Sequence, residues 1–132
     1  MGALTTYLLD THAFLWWVFD APELSSRARG LMADPQQRIL VSSATAWEIA
    51  IKFRSGKLAA VAPFSADIAA VVRRAGFLEL PISFAHANRA GLLPGEHRDP
   101  FDRMLAAQSL CEDCAVIGCD PALTALGATQ MW

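Results

Sequence analysis

The sequence predicts an α/β protein, a three-layer α/β/α sandwich around a mostly parallel sheet. Three observations lead there. Short apolar runs recur along the chain and are continuous rather than alternating, as strands covered on both faces require. Stretches with helical start and stop signals separate them, so strand and helix alternate. The chain has 132 residues, 54% hydrophobic and 18% charged, enough to bury a core without disulfides. One domain over residues 1–132 is expected.

Thr6–Leu9 is the first apolar run and ends at Asp10; Ala13–Phe19 reads as the helix after it. Ser25–Ala33 opens with a serine at the N-cap. The second strand, Ile39–Val41, ends in Ser42-Ser43, and the helix Thr45–Ser55 stops at Gly56, a good residue past a helix end. A helix over Ala66–Ala75 stops at Gly76 in the same way and leads into the third strand, Phe77–Leu80, closed by Pro81. Phe84–Leu92 reads as a helix running into the loop Pro94–Arg98. Pro100–Glu112 carries a strong start signal, with Asp99 at the N-cap, proline at the first helical position and Asp102 at the third. Phe101, Met104, Leu105, Ala107 and Cys111 supply its buried stripe. Ala115–Ile117 is the fourth strand, running into Gly118 and Asp120, and Thr129–Met131 the fifth. Asp120 before Pro121 is placed to start a short last helix.

Composition narrows the function classes. The apolar run Ala13–Phe19 falls short of the roughly 20 residues of a membrane span, and Pro63, Ser65 and Asp67 interrupt Leu58–Val72. The N-terminus has no basic region before its apolar stretch, so no secretory leader is read and a cytoplasmic protein is expected. Three cysteines are an odd count. Cys111-x-x-Cys114 lacks the second pair that a four-cysteine zinc site needs, and free thiols in a reducing compartment are expected. The net charge of −2 argues against a nucleic-acid binder only if the acids are spread evenly. With Asp10, Glu48, Asp99, Asp102 and Asp120 set aside as one cluster, eight acids stand against 11 Lys and Arg, a balance of +3. A weakly basic body around an acidic pocket suits a metal site that accepts a phosphate polymer.

In open parallel sheets, ligands sit beyond the carboxyl ends of the strands. Asp10 and Asp120 fall there, after the first and fourth strands. Asp99 and Asp102 lie three apart on the first turn of a helix, and Glu48 sits in the nearly apolar stretch Trp47-Glu48-Ile49-Ala50-Ile51. Each acid has a plain structural alternative: turn or cap residues for Asp10, Asp99 and Asp120, a capping box for Asp102, an i, i+4 pair with Lys52 for Glu48. Together they are harder to explain as coincidence. Carboxylates gathered within a few ångströms cannot all stay ionised without a cation, and an all-oxygen site with waters suits Mg²⁺ or Mn²⁺. The chemistry implied is metal-assisted phosphodiester hydrolysis.

Four segments carry a family resemblance: Tyr7-Leu8-Leu9-Asp10-Thr11-His12, Ser42-Ser43-Ala44-Thr45-Ala46-Trp47-Glu48-Ile49, His97-Arg98-Asp99-Pro100-Phe101-Asp102-Arg103-Met104-Leu105-Ala106-Ala107-Gln108, and Val116-Ile117-Gly118-Cys119-Asp120. In this order the sequence resembles the PIN domain family, and within it the VapC-type ribonuclease toxins of bacterial toxin–antitoxin pairs. The resemblance implies a PIN-like α/β/α fold and a Mg²⁺- or Mn²⁺-dependent endoribonuclease. Its acidic quartet falls on Asp10, Glu48, Asp102 and Asp120; the metal is expected on Asp10, Asp120 and either or both of Asp99 and Asp102. Thr11 stands where the family has a hydroxyl that hydrogen-bonds behind the first aspartate. The family often has Thr or Ser two residues before its last aspartate, where this chain has Gly118. The partners implied are an RNA substrate, a VapB-like antitoxin and a second copy of the chain in a homodimer.

Two other readings compete. A phosphoacceptor receiver domain needs a lysine after its last strand, and no lysine follows Lys57. A catalytically inert PIN-like interaction domain would keep only partner binding, which the intact acids disfavour. Adjacent Trp16 and Trp17 point about 100° apart on a helix, so one faces inward and the other a side groove; one of them, or Trp132, is a candidate interface anchor. Arg98, Arg103, Lys52 and Arg54 flank the acidic motifs, as RNA-phosphate contacts or as solvated surface charge. His97 reads as a loop residue.

Overall fold

The structure is a computed structural model that describes residues 4–132; the first three residues of the N-terminal stretch, read above for a secretory leader, lie outside the described residues. Along the chain the elements are β1 (Thr5–Leu9), α1 (Thr11–Val18), α2 (Ser26–Ala33), β2 (Gln37–Ser42), α3 (Ser43–Arg54), a 3-10 turn at Ala59–Val61, α4 (Ile68–Arg74), β3 (Leu78–Leu80), α5 (Phe84–Leu92), α6 (Pro100–Glu112), β4 (Ala115–Ile117), α7 (Pro121–Ala125) and β5 (Gln130–Met131). The strands form one sheet in the order β3-β2-β1-β4-β5, with every neighbouring pair parallel. This is the expected fold class.

The continuous apolar runs are resolved by the two-residue period of a strand. Tyr7, Leu9, Ile39, Val41 and Ile117 face one core together with Phe14, Ile49, Val61 and Phe77. Leu8, Leu40 and Val116 face the other, with Leu105, Leu123 and Leu126. Three layers follow directly. β3 departs from the expectation: it is an edge strand whose Leu78 is exposed, so it is not covered on both faces. The predicted stripe of α6 is also corrected. The helix is buried across the whole run Leu105–Ser109, whereas Phe101, Met104 and Cys111 are half-buried, because α6 lies between the sheet, α5 and α7 rather than at the surface.

Local chemistry sets the helix starts. Ser25, Ser42 and Asp67 each accept a backbone N–H of the helix that follows. α3 begins directly after β2 because Ser42 ends the strand and caps the helix at once. α1 likewise starts at Thr11, two residues before the expected Ala13, with Asp10 in the cap position.

The winding decides where a site can form. From β1 the chain proceeds outward through β2 to β3, then returns through α5 and α6 to lay β4 on the other side of β1. The direction of winding therefore reverses between β1 and β4, and the crevice beyond their carboxyl ends is open. In that register Leu9 stands beside Ile117, so Asp10 stands beside Gly118.

Candidate active site

Asp10 ends β1 and donates its backbone N–H to the Ile117 carbonyl at 3.1 Å, which ties it to β4. Its side chain is 5% exposed and caps nothing, although it occupies the cap position of α1. It makes no hydrogen bond to the described residues, and its nearest cation is His12, with Nδ1 3.6 Å from Oδ2. Its oxygens are not sealed from solvent, so the carboxylate faces the crevice with capacity to accept a further partner. The adjacent carboxylate raises the His12 imidazole above its ordinary value. Behind Asp10, the Thr11 and Thr45 hydroxyls are buried and hydrogen-bonded at 3.0 Å, linking the start of α1 to α3. Thr11 thus supports the helix start and does not contact an acid in this structure.

Glu48 projects from α3 and is 7% exposed. Lys52, one turn on, donates to Glu48 Oε2 at 2.8 Å, so the pair foreseen by spacing is formed. Glu48 is the first cause of a raised Lys52 ammonium, and Asp99 and Asp102 act in the same direction. Beside this pair, Trp47 is 56% exposed and meets the Phe101 ring edge-on at 5.0 Å.

Asp99 caps α6, accepting the Phe101 N–H at 2.9 Å and the Asp102 N–H at 3.2 Å. Asp102 does not complete a capping box. Its Oδ2 pairs with His97 Nε2 at 2.8 Å, a contact that sequence reading missed by leaving His97 as a loop residue. Burial, then the neighbouring Asp99 and Asp120, push the Asp102 carboxyl above the usual range, against the His97 contact. Asp120 caps α7 by accepting the Ala122 N–H at 2.9 Å. Asp10 and Asp120 both raise the Cys119 thiol, behind the larger effect of burial.

The β1–β4 register, the α3–α6 contact through Trp47 and Phe101, and the electrostatic influence of the acids on one another agree in setting all five around one crevice, formed by the ends of β1 and β4 and the first turn of α6. They are neighbours, not a cage: among the described residues no three His, Cys, Asp or Glu side chains stand close enough together to hold a metal ion. The donor set fits a hydrated hard cation held by one or two carboxylates, the usual manner of Mg²⁺. The open Asp10 carboxylate and the raised Asp102 carboxyl are the observations that favour it.

Two expectations for the cations change. Arg103 is not a phosphate contact, because its guanidinium is committed to the carbonyls of Ala90 at 3.0 Å, Gly91 at 3.4 Å, Leu93 at 2.5 Å and His97 at 3.0 Å. Lys52 is held by Glu48. Arg54 and Arg98 remain exposed. The three cysteines are free thiols, as expected. Trp16 stacks between His12 and Trp132, with 5.6 Å between centroids on each side, while Trp17 packs on Phe77. No described helix is long and apolar enough to cross a membrane.

Comparison with known proteins places this architecture. The pattern of the PIN domain family matches residues 7–128. Ribonuclease VapC16 of Mycobacterium tuberculosis is 36% identical over 66 residues, which cover 50% of this chain and 47% of that protein, so the match spans about half of the relative's length. Among solved structures, VapBC2 from Rickettsia felis, bound to a DNA fragment from their promoter, contains a chain that superposes with a TM-score of 0.71 at 16% identity, covering 96% of this chain and 98% of the other. That likeness concerns the fold.

Proposed function

The chain belongs to the PIN domain family, and from that premise we propose that it is a metal-dependent endoribonuclease of the VapC type. The observation that carries the reading is the gathering of Asp10, Glu48, Asp99, Asp102 and Asp120 at the strand ends, with Asp10 buried and open. The partial match to a ribonuclease supports it. One or two of Asp10, Asp102 and Asp120 would hold Mg²⁺ or Mn²⁺, with waters completing its shell, and Asp99, whose carboxylate caps α6, adds negative charge at their edge. Such an ion would supply neutralisation of the charge developing on the scissile phosphodiester and a more acidic water. The residues of the chain do the rest. His97 fixes the rotamer of Asp102 through Oδ2, and Glu48, which takes one hydrogen bond from Lys52, accepts a proton from the attacking water.

The biological setting is proposed on the same footing. A VapB-like antitoxin is the protein partner, in keeping with the VapBC2 assembly of the like-folded chain. A homodimer is favoured by α5, which leaves Phe84 97% and Leu92 75% exposed. The working compartment is the cytoplasm.

The test is incubation of the purified protein with structured and unstructured RNAs in Mg²⁺, in Mn²⁺ and in chelator. Cleavage is expected only with metal, and Asp10→Asn and Asp102→Asn are expected to abolish it while remaining folded. Wild-type rates in both variants would overturn the assignment.

A further inference from the structure

Gln130, on β5, reaches the acidic crevice with its side-chain amide. Nε2 donates to the Asp120 carbonyl oxygen at 2.7 Å and to Thr124 Oγ1 at 2.8 Å, while Oε1 accepts the Asp120 N–H at 3.1 Å. One side chain thus satisfies both backbone polar groups of Asp120, as a paired strand would, and only an amide can donate and accept in this way. An amide in this position needs room, and Gly118 provides it. A Cβ at residue 118 would lie 2.9 Å from the Asp10 Cβ and 3.0 Å from Gln130 Oε1. The first of these contacts involves an atom fixed to the β1 backbone, so it is not relieved by rotating a side chain.

We propose that Gln130 is the positioning residue for Asp120, holding it at the crevice by a two-way backbone clamp, and that Gly118 is glycine because Asp10 and this clamp occupy the space of a side chain. Asp120 follows β4 by three residues and precedes a five-residue helix, so few local bonds define its place. The clamp supplies two of them. It fixes the backbone and leaves the Asp120 carboxylate, which caps Ala122 through Oδ1, at the crevice.

The test compares Gln130→Leu, which keeps the volume and removes all three side-chain hydrogen bonds, with Gly118→Ala, which crowds the amide out, and with the double variant. Hydrogen exchange at the Asp120 amide, read in metal-free protein without RNA, is expected to quicken about tenfold in each, as the loss of one net hydrogen bond allows. At the Asp120 amide the double variant is expected to add little, because both changes release the same clamp there; Gly118→Ala also presses on Asp10, so the kinetic effect is read from Gln130→Leu. In RNA cleavage, kcat is expected to fall about tenfold with KM unchanged, since Asp120 acts on the reacting phosphate and not on the rest of the RNA. The kinetic part rests on the ribonuclease reading; the exchange part does not. Faster Asp120 exchange in a protein whose wild type cleaves no RNA would support the clamp and sink the ribonuclease assignment. An Asp120 amide in Gln130→Leu as protected as in the wild type would overturn the clamp. So would a uniform loosening of β4 and β5, or an unchanged kcat in an active enzyme.

Discussion

Glu48 separates chemistry from packing more cleanly than any other residue of the crevice. Its carboxylate is buried and its one hydrogen bond to the described residues comes from Lys52, whose side chain is 39% exposed. The two halves of the pair therefore fail differently. Glu48→Gln frees an ammonium that water can reach, at a cost of about 0.5–1 kcal/mol, and is expected to slow RNA cleavage at least about a hundredfold, the scale of a lost general base. Lys52→Ala strands a buried carboxylate, and is expected to lower stability by about 1–3 kcal/mol while cleavage stays within a few-fold of wild type. Single-turnover rates and urea midpoints for both variants check this. Spacing alone revealed the pair and the apolar setting; it could not rank their consequences, which depend on which partner is the more exposed. A second test concerns Cys114, whose thiol burial pushes up to about 11, with Glu112 and Asp113 adding to the shift. Because the raised value suppresses thiolate, alkylation of Cys114 is expected to be negligible at pH 8 and to grow only as the pH approaches that value. Mass mapping of labelled cysteines across pH reads it directly.

Among the elements, α5 and α6 were placed correctly by the sequence over Phe84–Leu92 and Pro100–Glu112. What the sequence did not reveal is how they are joined. α5 ends at Leu92 without a glycine beyond it, and Leu93 and Pro94 follow, so its last carbonyls lack the usual local closure. Arg103, from the first turn of α6, closes that end from outside by bonding Ala90, Gly91 and Leu93, and extends to His97. His97 in turn meets Asp102, the residue next to Arg103. An arginine beside acidic motifs reads naturally as a phosphate contact, because its true partners are backbone carbonyls and leave no side-chain pattern to recognise. Arg103→Lys keeps the charge but loses the planar fork. It is expected to cost about 1–3 kcal/mol in urea unfolding and to speed amide exchange over residues 91–98. Stability and loop exchange at wild-type levels in this variant would show that a single ammonium suffices. The same contrast between local and distant signals explains the corrected stripe of α6: capping residues mark where a helix starts, but which faces are covered depends on neighbours contributed by α5 and α7.

For the whole molecule, Asp10 and Asp120 were readable as strand-end residues, whereas the order of the strands was not. Nothing local distinguishes β4 lying beside β1 from β4 lying beside β3, yet only the first arrangement brings Asp120 to Asp10. The gathered charge has a measurable global effect. A divalent ion that binds the folded crevice and not the unfolded chain adds about 2.7 kcal/mol of stability at a hundred times its dissociation constant. Thermal melts in Mn²⁺ are therefore expected to rise in the wild type and stay flat in Asp10→Asn, and a rise of equal size in both would place the ion elsewhere. The pairing of Leu8 with Val116 also bears on how the protein comes into being. Asp10 and Glu48 are synthesised well before β4, Asp120 and the Gln130 clamp, so the chain has seconds to arrange its first three strands without them. A nascent chain at that stage carries Asp10 and Glu48 on a sheet that lacks the strand needed to close the crevice. On the proposed ribonuclease reading, this order of assembly delays a complete cutting site until β4 and β5 have joined the sheet.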